Sequence, residues 1–308
     1  MFHEKIPSRQ LISWIFAATV PVGIQLLSGS GWVWTVCGGA ISVAACAVLW
    51  KINRETTKWE SVFLFVYVVI LLGQLLRHTA QCWPMGNSDP AVPLILLVLA
   101  AVSAQKGPSA AARVGAVLFW AVLGLYLLVF AAGAKDVKLD WLMPNQKAFN
   151  ATGMMIYLLP WAAARLLKEH RPLSKKICLA PVFIVVGTVV TAGVLSPAVA
   201  AKLPNAFYEM SRSLNLFDVA RRFEALICAV TAAGWFSLMS LLLTLCGAYA
   251  HNVFPEKGKV GLWLAAAAAA VGALCGLHIK PAILLLAGTI FWVIIPLLTQ
   301  GLDKIKKS

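Results

Sequence analysis

Ten stretches of mostly apolar residues follow one another along these 308 residues, separated by short polar links. They fall at about 10–28, 32–50, 60–80, 91–105, 110–133, 149–167, 177–197, 222–250, 260–278 and 282–300. Hydrocarbon offers no partner to an unpaired backbone amide, so a chain crosses a layer roughly 30 Å thick as helices of about 20 residues that satisfy their own hydrogen bonds. A composition 60% hydrophobic and 12% charged, with mean hydropathy +0.82, excludes a water-soluble reading. The expected fold class is an all-α polytopic membrane protein of about ten transmembrane helices, one transmembrane domain over 1–308.

The fourth stretch, Ala91 to Ser103, is the shortest and carries Pro93 near its start. Charge argues for counting it as a span. With the N-terminus inside, Lys5, Arg9, Lys51, Arg54, Lys58, Lys106, Arg113 and the cluster Arg165, Lys168, Arg171, Lys175 and Lys176 all fall on the cytoplasmic side, with Lys257, Lys259, Lys304, Lys306 and Lys307. Removing the fourth span would expel that cluster, against the bias of short loops. Both termini are therefore expected in the cytoplasm, and the net charge of +14 is topological, with no nucleic-acid partner implied. The first apolar run is long and follows Lys5 and Arg9, so it reads as a span and not as a cleavable signal peptide.

Seven cysteines, all but Cys82 inside apolar runs, form neither a CxxC pair nor a Cys/His cluster. They read as packing residues, with no metal and no cofactor expected. No Ser/His/Asp set, HExxH, paired intramembrane carboxylates or phosphate-binding glycine loop occurs, so no enzyme is expected.

Two spans contain helix breakers. Pro21 and Gly23 lie mid-way along the first, in Thr19-Val20-Pro21-Val22-Gly23-Ile24-Gln25; the sixth opens Asn150-Ala151-Thr152-Gly153-Met154 and carries Pro160. Proline removes an amide and clashes with the preceding turn, and glycine tolerates unwound backbone. These are the first spans of two successive sets of five, about 8–133 and 148–301. Transporters built from inverted repeats place a solute site at such paired interruptions. The candidate ligand-binding residues are Pro21, Val22, Gly23, Ile24 and Gln25 in the first span and Ala151, Thr152, Gly153 and Met154 in the sixth. Tyr67 and Gln74 share a face of the third span, and Trp235 supplies aromatic bulk in the eighth. The ordinary alternatives are a packed kink, an interhelical hydrogen bond and core packing. Arg221, Arg222 and Glu224 at the start of the eighth span read as an ion pair or gate. The connection 198–221, with Phe207, Tyr208, Met210, Leu214 and Phe217 among its charges, is expected to form a short surface helix.

Several local patterns occur in order along the chain: Lys5-Ile6-Pro7-Ser8-Arg9-Gln10-Leu11; Asp89-Pro90 before the short fourth span, then Gly107 and Arg113; and Leu216-Phe217-Asp218 with Arg222-Phe223-Glu224 and Trp235. Together they resemble the B subunit of bacterial spore germination receptors, the GerAB-like family of the amino acid–polyamine–organocation (APC) transporter superfamily. The chain is short for that family, and Ser28-Gly29-Ser30-Gly31-Trp32 is richer in glycine and serine. The resemblance implies a LeuT-like 5+5 inverted repeat and a small-molecule site among the first, third, sixth and eighth helices. It also implies A and C subunits as partners in the inner spore membrane, with an amino acid or similar small nutrient as ligand and membrane lipid around. The alternative function is an amino acid secondary transporter coupled to protons or sodium.

Overall fold

The computed structural model describes residues 6–49, 56–82, 90–142, 150–167, 175–214, 223–276, 279–296 and 298. The helices in chain order are α1 (Ser8–Leu27), α2 (Trp32–Leu49), α3 (Lys58–Cys82), α4 (Ala91–Gln105), α5 (Pro108–Gly133), α6 (Ala151–Met155), α7 (Leu159–Leu167), α8 (Leu179–Leu195), α9 (Pro197–Ala200), α10 (Ala206–Ser213), α11 (Phe223–Val253), α12 (Gly258–Leu274) and α13 (Pro281–Thr289). A 3-10 turn, Ile156–Leu158, joins α6 to α7, and a π-helical segment, Ile290–Ile294, continues α13. The sixth span is thus α6, the turn and α7 together. Every apolar stretch read from the sequence contains such a helix, and among the described residues there is no β-strand.

Among the described residues four helices, Ser8–Leu27, Lys58–Gln81, Pro108–Gly133 and Ala225–Val253, are long and apolar enough to cross a bilayer unaided. The fifteen residues of α4 span only about 22 Å at 1.5 Å per residue. Large apolar side chains stand exposed around the outside, among them Val66 on α3, Val117 and Trp120 on α5, Leu264 and Val271 on α12. In water such a belt is costly; in lipid it is the matching surface.

α1 is the central post. It is buried from Leu11 to Leu27 apart from Ser13, and it packs on α5, α8 and α11. The sixth span lies antiparallel to it: Ile6 N–H donates to Leu167 O at 3.0 Å at one end, and Asn150 Nδ2 donates to Leu26 O at 2.7 Å at the other. α3 and α11 are likewise opposed, with Asn252 near the end of α11 donating to Thr56 Oγ1 just before α3. The packing partners exchange between halves. α1 rests on α5 as α6 rests on α13, and α3 packs on α12 as α11 packs on α4. The link from α4 to α5 is tight because Gly107 adopts φ 106°, a conformation that side chains resist, and Pro108 then opens α5 with its preset φ. The short helix expected in the 198–221 connection is α10. Phe207 stacks on Tyr126 of α5 and its N–H donates to Ser28 Oγ at the end of α1.

The expected break in the first span is corrected. α1 runs unbroken from Ser8 to Leu27 with Pro21 inside it. The reason lies across the interface. Gly234 of α11 leaves room for the proline ring: a Cβ at that position would meet Pro21 Cβ at 2.6 Å and Cγ at 2.8 Å. Gly23 does not loosen the helix either, because Ile184 of α8 covers it, a Cβ there meeting Ile184 Cδ1 at 2.6 Å. Packed neighbours hold a proline helix that sequence alone would allow to open.

The sixth span is distorted and not unwound. Pro160 has no N–H to give the carbonyl four residues back, that of Ile156. Leu159 N–H takes that carbonyl instead, three residues on, which makes the 3-10 turn.

Candidate functional site

Residues expected to bind a ligand divide into two clusters that meet at α6. The first joins the C-terminal part of α1 to α11 and α6. Gln25 is buried in α1, and its Oε1 accepts from Trp235 Nε1 at 2.7 Å, with the indole fully enclosed. A buried amide left unpaired in such surroundings costs about 1–3 kcal/mol, so this bond holds α1 and α11 in one register. Asn150 caps α6: its Oδ1 accepts from Gly153 N at 3.2 Å while its Nδ2 reaches Leu26 O. Gly153 allows the close approach, since a Cβ there would meet Leu27 Cδ2 at 2.5 Å. Ala151 and Thr152 are buried beside it.

The second cluster joins α3, α6, α7, α11 and α13. Tyr67 Oη donates to Met155 Sδ at 3.7 Å, and its ring meets Trp292 edge-on with centroids 4.9 Å apart. Trp292 Nε1 donates to Tyr249 Oη at 3.3 Å, and the Trp292 carbonyl, inside the π segment, accepts from Trp161 Nε1. Gln74 is buried on the Tyr67 face of α3, roughly 10 Å farther along the axis.

Several expected residues lie elsewhere. Pro21 faces Gly234, and Gly23 with Ile24 interlocks with Ile184 and Gly187 of α8. Val22 is buried in the core. Met154 turns to α2, where a Cβ on Gly38 would meet its Sδ at 2.6 Å. At the start of the sixth span the Gly153 N–H goes to Asn150 Oδ1 at 3.2 Å and the Met154 N–H to Asn150 O at 3.1 Å, so the asparagine side chain satisfies one of the amides at the head of α6. Arg221 and Arg222 lie outside the described residues, as does the side chain of Glu224.

Asn150, Met155 and Trp292 belong to these clusters without having been singled out. Asn150 was legible as an N-cap, an asparagine directly before an apolar run. Ser237 and Ser240 of α11 are further cases, with fully buried hydroxyls that have no hydrogen-bond partner among the described residues. Every buried polar side chain among the described residues is uncharged: Gln, Asn, Ser or Thr. Among those residues no group of three His, Cys, Asp or Glu stands close enough to hold a metal ion.

No protein-family model matches this chain, and no curated protein matches it. Solved structures do. The chain is similar to a Na+-coupled sialic acid symporter in its substrate-bound outward-open state, with TM-score 0.58 and 11% identity over 93% of this chain and 76% of that one. It is also similar to Mhp1, a nucleobase-cation-symport-1 family transporter, in a closed conformation with bromovinylhydantoin bound, with TM-score 0.52 and 15% identity over the same shares. At such identities the likeness establishes architecture. This chain is an all-α, multi-pass membrane protein that shares the fold of these two symporters.

Proposed function

We propose that this chain binds a small nutrient, an amino acid or a solute of similar size, where α1, α3, α6 and α11 converge, and passes the binding event to partner subunits as the B subunit of a spore germination receptor. The observation that carries the proposal is the Gln25–Trp235 bond with the Asn150 cap beside it. They form a neutral polar junction inside an apolar core, in a fold shared with solute symporters over 93% of the chain. A ligand carboxylate or ammonium group would exchange with these bonds and separate α1 from α11. Binding then shifts a conformational population and drives no chemistry.

On this reading the chain sits in the inner spore membrane or cytoplasmic membrane with both termini in the cytoplasm, beside receptor A and C subunits. The ligand-binding set retains Gln25, Tyr67, Gln74, Thr152, Gly153 and Trp235.

The test is nutrient-triggered germination of spores carrying Gln25→Leu or Trp235→Phe, with insertion checked by immunoblot, alongside thermal unfolding of the purified chain against single amino acids. The expected outcome is a stabilising shift by one ligand in the wild type, lost in both variants together with germination. An unchanged nutrient response in both variants would place the site elsewhere.

A second reading, an amino acid permease coupled to sodium or protons, is favoured by the buried hydroxyls of Ser237 and Ser240, which have no hydrogen-bond partner among the described residues. Concentrative uptake by the purified chain in liposomes would select it.

A further inference from the structure

A cavity of about 370 Å³ opens between α2, the sixth span and α13, on the far side of Met154 from the Gln25 junction. Its floor is Met154, Tyr157 and Trp161, each buried, and its mouth is Trp34, Cys37 and Ile41, each exposed on α2. Leu285, Thr289 and Val293 form the opposite wall.

Four polar side chains of this lining already donate to backbone carbonyls. Ser42 Oγ donates to Tyr157 O at 2.9 Å, Tyr157 Oη to Thr35 O at 3.2 Å, Thr289 Oγ1 to Leu285 O at 2.8 Å, and Trp161 Nε1 to Trp292 O. Water at about 30 Å³ per molecule would need a dozen molecules to fill the space, each with two to four polar partners, and such a wall does not supply them. An apolar cavity can stay empty when sealed; this one opens on the membrane-facing side of α2, where the surrounding medium is hydrocarbon.

We infer that this cavity is a binding site for one acyl chain of a membrane lipid. The chain gains little by leaving the bilayer for an equally apolar pocket; what holds it is close contact with the aromatic floor, which loosely packed lipid does not offer. A phosphate headgroup is disfavoured in the interior because the donors of Ser42, Tyr157, Thr289 and Trp161 are already spent on backbone carbonyls. The seated chain lies against the 3-10 turn at Tyr157 and Leu158 and against the π segment at Val293, so it braces the two irregular elements of the sixth and tenth spans.

The experiment is photocrosslinking in nanodiscs with phosphatidylglycerol carrying a diazirine near the acyl terminus, with adducts located by peptide mass spectrometry. Adducts are expected on Met154, Tyr157 and Trp161, which the surrounding lipid shell does not reach, as well as on exposed Val117 and Trp120. In Cys37→Trp, which fills the mouth, the floor adducts are lost and those on Val117 and Trp120 stay; Ile41→Trp on the rim serves as the second plug should the first fail to fold. Floor labelling at background level in the wild type overturns the inference. So does floor labelling that survives both plugs, or floor labelling by a water-soluble diazirine in place of the lipid.

Discussion

Pro21 shows how one residue's meaning is decided by another far away in sequence. The ring removes a hydrogen bond from α1, yet the helix continues because Gly234 admits it. Gly234→Ala is expected to destabilise the protein by about 1–3 kcal/mol through overpacking, and Pro21→Ala in the same chain to recover most of that loss. Thermal unfolding of the two single variants and the double variant checks it, with additive losses counting against the contact. Asn150 carries two bonds, the cap of α6 and the tie to Leu26 O, so Asn150→Ala is expected to cost about 1–2 kcal/mol and to raise hydrogen exchange over 151–155. Gln25 and Trp235 were legible singly as a polar and an aromatic residue within apolar runs. That they bond to each other was not, because helical period reports the face of a helix and not what it faces.

Among the elements, the sixth span holds the clearest departure from regular helix. The 3-10 turn exists because Ile156 O loses its usual donor to Pro160 and accepts from Leu159 instead. Pro160→Ala restores the amide, and the expected result is regular α-helix through 156–160, with a newly protected amide at position 160 in hydrogen exchange. If the turn belongs to the signalling path, the same variant also loses the nutrient response. Sequence located this breaker but exaggerated the one in α1. The two differ in surroundings: α1 is enclosed by α5, α8 and α11, whereas the turn borders an open cavity on one side. The short α4 packs along α11 as the similarly apolar α12 packs along α3.

At the level of the whole molecule, α1 and the sixth span run antiparallel, α3 opposes α11, and the α1–α5 contact has its counterpart in α6–α13. That exchange is the ground on which we propose two inverted repeats, about 8–133 and 148–301. An even number of crossings with the positive links on one side is the ground on which we propose that both ends lie in the cytoplasm. Green fluorescent protein fused at either end is expected to fluoresce and alkaline phosphatase fused at the C-terminus to stay inactive; active phosphatase there would reverse the orientation.

Sequence by itself determined that the chain crosses a membrane as helices, roughly where each begins and ends, and which polar residues lie inside, because the cost of unpaired amides and charge in hydrocarbon acts on each segment separately. Only the tertiary structure decided that the first helix stays whole, that Gln25 meets Trp235, that Asn150 ties the head of α6 to Leu26 O, and that an apolar cavity opens behind the sixth span. Those outcomes depend on whether a neighbouring helix fills the space beside a residue, and that is a property of pairs brought together by folding.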